Sequence, residues 1–307
     1  MLENLKLGPR YDGFLFLAEA ARNPPVLAPH NHVELELNVV MRGKITYVVA
    51  GRRFTFGPRT LLWMFPAQEH QLVDRTSDAA YYVAVFKPGL IKAACRGEGY
   101  ADLMRTDPED KAGVLHTELA PDAFDLVRSL MNSLVEDGLD PDVLNREAGF
   151  GVGSKFHFEH GDPDALNAGL RHLLLWCWRQ QRGRAGAARA VALHPAVSRA
   201  LELLGNGEWA EDGTRLARRC GVSEAYLSRV FARQVGVPLT RYRNSARLAR
   251  FWRVLRTPPQ KNLAEAAYAA GFGSYAQFFK IFHKTYGQGP RASLAADHAP
   301  PPNTAST

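Results

Sequence analysis

Cysteine is scarce: Cys95, Cys177 and Cys220 are the only three among 307 residues, odd in number, widely spaced and without a Cys-x-x-Cys pair. That argues against a disulfide framework and against a structural zinc site, and makes a reducing cytoplasm the expected compartment. Long apolar runs are missing as well. Stretches such as Leu173–Trp178 fall far short of the roughly 20 residues that span a bilayer, so no membrane partner is expected. The opening MLENLKLGPR has charges but no apolar core, and no secretion signal is visible in it. There is no Walker loop, no Gly-x-Ser-x-Gly elbow and no Rossmann fingerprint, which removes the commonest nucleotide-binding and acyl-transfer enzymes.

What is present is enough apolar material for real cores, 46% hydrophobic against 22% charged residues, on a chain long enough for about two domains. The formal net charge of +7 is uneven. Residues 1–193 hold 22 Lys+Arg and 24 Asp+Glu, whereas residues 194–296 hold 16 and 6, a local excess of +10. A basic segment joined to a near-neutral one is the footprint of a nucleic-acid binder with a separate sensing module, and an Arg-rich composition without that function is the competing reading.

Residues 26–88 read as short strands punctuated by Gly and Pro. Asn31–Met41 alternates, with Val33, Leu35, Leu37 and Val39 on one face and His32, Glu34, Glu36 and Asn38 on the other. Strands at Ile45–Ala50, Phe54–Phe56, Leu61–Phe65 and Tyr81–Phe86 complete an all-β barrel or sandwich. From Pro121 the period turns helical, predicting helices over 121–136 and 164–181 with a loop at 138–163 between them. The expected fold is α+β in two domains: a cupin-like β-barrel with trailing helices over 1–181, a linker at 182–193, an all-α domain over 194–296 with two helix-turn-helix units joined by a long helix, and a disordered tail at 297–307.

The helix-turn-helix expectation rests on an internal repeat. With Ser223 laid on Ser274, Leu227 meets Phe278, Arg229 meets Lys280, Phe231 meets Phe282 and Gly236 meets Gly287. Upstream, Ala217 precedes Gly221 by four residues and Ala267 precedes Gly271 by four. Each unit reads helix, Gly turn, Ser cap, helix, Gly stop, and a small Ala lets the second helix cross closely. One such match is weak; two at an offset of 51 residues in the basic part of the chain are specific. Between them, Leu239–Thr257 reads as one helix ending at Pro258-Pro259, studded with Arg241, Arg243, Arg247, Arg250, Arg253 and Arg256. Its length of roughly 28 Å, at 1.5 Å per residue, suits two recognition helices about one DNA turn apart.

Residues 194–295 resemble the DNA-binding domain of the AraC/XylS transcription regulators along its whole length. The resemblance lies in HPAVSRALELL, LARRCGVSEAYLSRVFARQVGVPLTRY, ARLARFWRVLRT and LAEAAYAAGFGSYAQFFKIFHKTYGQGP, with Gly271-Phe272 and the Gly-x-x-Pro ending as specific marks. It implies double-stranded promoter DNA and RNA polymerase as partners and a base-contacting set of Glu224, Ala225, Ser228 and Arg229 in the first recognition helix. Tyr275, Ala276, Phe279 and Lys280 are the set in the second. Arg229 sits on the family's usual Arg, for a guanine or a phosphate; Lys280, Tyr275 and Phe279 depart from the pattern, which implies a less specific second unit.

In the barrel, His30-x-His32-x-x-x-Glu36-x6-Gly43 has the spacing of the first cupin motif, and Pro66-x-x-x-His70 resembles the second, one residue short and lacking its Gly. In metal cupins three His and a Glu bind a divalent ion. Regulatory cupins of this family commonly keep an HxH remnant and bind a small effector without metal. On that reading His30, His32, Glu34, Glu36, Trp63 and His70 line an effector pocket with no metal and no cofactor, since the shortened spacing would misplace the fourth ligand. The run HNHVELELNVVMRGKITYVV…LLWMFPAQEHQLVD is also similar to the sugar-responsive, melibiose-operon type of regulator, which makes a sugar the expected effector, with Trp63 either stacked on a pyranose face or plain core. The resemblance further implies a homodimer through helices 121–136 and 164–181, with Leu166, Leu170, Leu173, Trp176 and Cys177 either as the seam or buried on their own barrel. The expected function is an effector-responsive transcription activator without enzymatic activity; a metal-dependent cupin enzyme fused to a DNA-binding domain is the alternative.

Overall fold

A computed structural model describes residues 5, 7–20, 29–108, 113–136, 160–181, 191–205, 212–256, 261–286 and 289–292. Most of the expected loop at 138–163, the first part of the linker and the tail at 297–307 lie outside these residues.

The amino-terminal half folds as two facing sheets. Strands β1 (Gly13–Glu19), β2 (Leu35–Arg42), β5 (Thr60–Met64), β7 (Ala80–Phe86) and β8 (Leu115–Glu118) make one, in the order β1-β7-β2-β5-β8. Strands β3 (Ile45–Val49), β4 (Arg52–Phe56), β6 (His70–Arg75) and β9 (Val191–Ala192) make the other, in the order β6-β3-β4-β9. All the ladders are antiparallel. β2 is buried on both sides because one face lines the inter-sheet space and the other is roofed by α2 (Pro121–Glu136) and α3 (Pro163–Gln181). A short helix α1 (Pro88–Ala94) follows β7.

Two expectations are corrected here. β2 starts at Leu35, not at Asn31; His32 and Glu34 sit in the bend before it, and Val33 is 52% exposed rather than on the apolar face. The linker is also not free of structure: Val191 and Ala192 pair with Arg53 and Arg52 of β4, extending the second sheet. The helices match the expected 121–136 and 164–181, but Leu166, Leu170, Leu173 and Cys177 are fully buried within their own chain. Those four side chains therefore cannot also form an intermolecular seam; Trp176 is the one member left partly exposed.

The carboxy-terminal half is helical: α4 (Pro195–Gly205), α5 (Gly213–Arg219), α6 (Glu224–Val235), α7 (Leu239–Arg256), α8 (Leu263–Ala269) and α9 (Tyr275–Tyr286). Its buried side chains fall into two cores. One gathers α4, α5, α6 and the start of α7 around Leu201, Leu216, Leu227 and Phe231. The other gathers the end of α7 with α8 and α9 around Phe251, Phe278 and Phe282. The first core also takes in Val48 of β3 and Val73 of β6, so the second sheet packs against the first helix-turn-helix unit.

Candidate DNA-binding units and ligand pocket

The two repeat units are built alike. Ala217 and Ala267 are both buried where their helices cross the next ones. Gly221 and Gly271 both take left-handed backbone, φ +73° and +89°, which a side chain would strain even where there is room for it. Ser223 then caps α6, its Oγ accepting from the Tyr226 N–H at 3.3 Å, and Ser274 caps α9, accepting from the Gln277 N–H at 3.1 Å. Leu227, Val230 and Phe231 anchor α6, and Phe278 and Phe282 anchor α9. The long connector α7 reaches Arg256, and Thr257 to Pro259 lie outside the described residues.

Opposite those anchors lie the residues that the family pattern assigns to DNA. Ala225, Arg229, Ala276, Phe279 and Lys280 are exposed, and Ser228 and Tyr275 are half-buried. Arg229 rests its guanidinium over the Tyr226 ring at 5.6 Å, a platform that limits its rotamers. Glu224 is exposed but its carboxylate accepts from the Thr214 hydroxyl at 2.6 Å, which ties α6 to α5. Tyr275 leans on Phe278, ring centroids 5.5 Å apart, as part of the second unit's core. The arginines of α7 divide: Arg241 is exposed, Arg250 donates to the Ala269 carbonyl at 2.8 Å, and burial lowers the pKa of Arg247, aided by the neighbouring Arg243 charge.

A buried cluster of polar side chains forms where β2 and β6 face each other. His32 Nε2 lies 3.1 Å from Glu36 Oε2, and His70 Nε2 lies 3.7 Å from the same oxygen. The expected misplacement of His70 does not occur. A tight turn, with the Gln68 N–H bonded to the Phe65 carbonyl and Gln68 Oε1 accepting from the Phe65 N–H, absorbs the missing residue and starts β6 at His70. His30 bridges to His70 through paired backbone hydrogen bonds of 2.9 and 3.1 Å, and its ring stands edge-on to that of His70 at 4.3 Å. Burial by itself would raise the Glu36 carboxyl, but the facing His32 and His70 imidazoles outweigh it and hold the group well below the usual carboxylate range.

Asn38 donates to Glu36 Oε1 at 2.6 Å, and the Tyr47 hydroxyl of β3 reaches Asn38 Oδ1 at 3.5 Å, closing the pocket across the two sheets. Tyr47 escaped the sequence reading; its alternation within β3 was the available signal. Glu34 is buried beside the pocket, its Oε2 3.6 Å from His32 Nδ1.

Trp63 is not part of this pocket. In the β2–β5 register it stands opposite Leu37, whereas Glu36 stands opposite Met64. Directly paired residues share a face and neighbours alternate, so Trp63 points away from Glu36. It packs instead on Trp178 of α3 and on Phe86, at ring-centroid distances of 5.6 and 6.2 Å.

The outer side of β6 meets the helical half. Alternation puts His70 inward and Gln71 outward, where Gln71 Nε2 donates to the Tyr242 hydroxyl of α7 at 2.5 Å. A cleft between the second sheet and α4, lined by Pro29, Glu69, His70, Gln71, Ser198 and Glu202, reaches His70 from outside.

The AraC-like ligand binding domain pattern matches residues 15–146, and a helix-turn-helix domain pattern matches residues 216–295. The HTH-type transcriptional regulator GlxA of Rhizobium meliloti (strain 1021) is 36% identical over 111 residues, which is 36% of this chain and 34% of GlxA. The chain thus matches about a third of the length of that curated relative. Among solved structures, ToxT from Vibrio cholerae aligns over 92% of this chain and 97% of its own at 10% identity, with a TM-score of 0.35. The AraC-like transcriptional activator CuxR aligns over 77% and 72% at 14% identity, with a TM-score of 0.30. No helix among the described residues is long and apolar enough to cross a membrane. The chain thus carries an AraC-like ligand binding domain in its first half and a helix-turn-helix domain in its second.

Proposed function

We propose that this protein is a DNA-binding transcription regulator, an activator, switched by a small effector held between the barrel sheets. The observation that carries the reading is strand β6. One residue, His70, faces the pocket, and the next, Gln71, is hydrogen-bonded to the long helix that joins the two DNA-reading units. A ligand that shifts β6 acts directly on the placement of α6 and α9. The effector is small and polar, matched to His32, Glu36, Asn38 and Tyr47. With Trp63 on the other face of the sheet, the stacking support for a sugar falls away, and a sugar remains one polar ligand among others. Regulation proceeds through promoter DNA and RNA polymerase, on a homodimer built from exposed parts of α2 and α3 such as Leu126 and Trp176.

The full-length chain is expected to enrich one sequence motif from a pool of random duplexes, and affinity for that motif should fall steeply with salt. The log–log slope is expected at about −0.9 per phosphate neutralised. Binding that ignores salt between about 50 and 200 mM would remove the electrostatic basis of the proposal. Arg229→Ala should lose more of the specific-to-random affinity ratio than Lys280→Ala. The Arg fork matches guanine O6 and N7, worth about 1–3 kcal/mol of discrimination, whereas Lys offers a point charge. A larger loss in Lys280→Ala reverses the ranking of the two units.

A further inference from the structure

We propose that His32, Glu36 and His70 form a binding site for a divalent first-row metal ion of the zinc class. The argument starts from the hydrogens of the two imidazoles. His32 Nδ1 lies 3.0 Å from the Glu34 carbonyl oxygen, and His70 Nδ1 lies 3.0 Å from the Gln68 carbonyl oxygen. A carbonyl only accepts, so each Nδ1 carries the ring's hydrogen, and in the neutral rings each Nε2 presents a lone pair. Those two lone pairs converge on Glu36 Oε2, which is itself an acceptor. Three acceptors thus face one another in a buried space, their ligand atoms all within 4.8 Å of one another. His70 Nε2, on a side chain only 2% exposed, has no hydrogen-bond partner. Such a buried acceptor cluster is costly unless a cation or added protons occupy its centre.

The dimensions suit an ion. Ligands about 2.0–2.1 Å from a tetrahedral zinc stand roughly 3.3 Å apart, and the distances from Glu36 Oε2 to the two imidazole nitrogens, 3.1 and 3.7 Å, bracket that value. The surroundings suit one as well. Both imidazoles have their second nitrogen pinned by a backbone carbonyl, which fixes ring orientation and raises Nε2 basicity, and Asn38 holds the other oxygen of Glu36 at 2.6 Å. Two imidazoles and a carboxylate leave a fourth position open to water or to an oxygen of the effector. The expectation of a metal-free pocket rested on a misplaced His70, and His70 is in place.

The assignment deepens the regulatory reading and rests on it only for its consequence, since the ion is held by the barrel alone. Full-length protein equilibrated with excess Zn²⁺ and then desalted should retain about one ion per chain by elemental analysis. Co²⁺ in its place should give the visible ligand-field bands of a low-coordinate nitrogen–oxygen site. Glu36→Gln, which keeps the shape of the side chain, should abolish both signals. Asn38→Ala keeps all three ligands and should weaken affinity about 10–100-fold, the usual effect of removing an outer partner of a ligand. Wild-type protein that retains no metal, or Glu36→Gln that retains as much as wild type, overturns the site. Neither result touches DNA binding, which is measured separately on the same preparations; metal retention without any DNA binding would instead defeat the regulatory reading and leave the site standing.

Discussion

Phe278→Ala is expected to melt the second helix-turn-helix unit and leave the barrel folded. Phe278 is fully buried, with the rings of Phe251, Phe272 and Phe282 at 4.4, 5.2 and 5.4 Å. Truncating a buried Phe costs about 3–5 kcal/mol, a large part of the stability of a unit built from three short helical segments. Among the described residues, none of the buried side chains in that core comes from the barrel. Calorimetry should therefore show a separate, lowered transition, with the barrel transition unmoved and affinity for the selected DNA motif lost. Leu201→Ala in the first unit is the control. It opens a cavity costing about 2–5 kcal/mol in a core that includes Val48 and Val73, so there both transitions should move. A barrel transition that shifts equally in Phe278→Ala would mean that the two halves melt as one.

The difference between the two units also marks what could be read in the sequence. The duplicated Ala, Gly and Ser positions were legible because each is dictated locally: a helix crossing needs a small residue, a left-handed turn favours Gly, a helix start favours a hydroxyl cap. The same local logic placed α2, α3 and the polar face bearing Glu36. It failed at Trp63, because β2 and β5 are buried on both faces and alternation alone does not say which face is the pocket; the cross-strand register decides it. It failed at His70 because motif spacing counts residues, whereas the Phe65–Gln68 turn sets where the strand begins. It left Leu166, Leu170 and Leu173 undecided, because their helical spacing is the same for a dimer seam and for packing on a barrel. Val191–Ala192 and Gln71 were invisible, since both depend on how the halves of the chain meet. Five side chains that the sequence grouped by motif spacing (His30, His32, Glu34, Glu36 and His70) lie together in the fold, and the chemistry of the hydrogens came only with coordinates.

Breaking the Gln71–Tyr242 hydrogen bond is expected to cut the effector response without abolishing DNA binding. Tyr242 is buried against Phe231, ring centroids 5.4 Å apart, and its hydroxyl accepts from Gln71 Nε2 in a space that excludes water enough to push the phenol pKa far up. Tyr242→Phe removes the acceptor and leaves a buried amide N–H short of this partner, a cost of about 1–3 kcal/mol. Gln71→Leu removes the amide that donates to the hydroxyl, at a comparable cost. The double variant replaces both partners with apolar groups of similar shape, and such a pair can be nearly neutral. Stability should therefore fall in each single variant and recover in the double one. The nearby Arg241–Asp74 pair, 3.9 Å apart with the Arg side chain 64% exposed, adds little and does not substitute for the bond. The transcriptional response to effector should behave differently, staying low in all three variants, because the double variant restores packing but not the directional link between β6 and α7. Thermal melts, motif affinity and reporter induction measured on the same four proteins separate the two effects. Full induction in the stable double variant would mean that the signal from the pocket does not travel through β6.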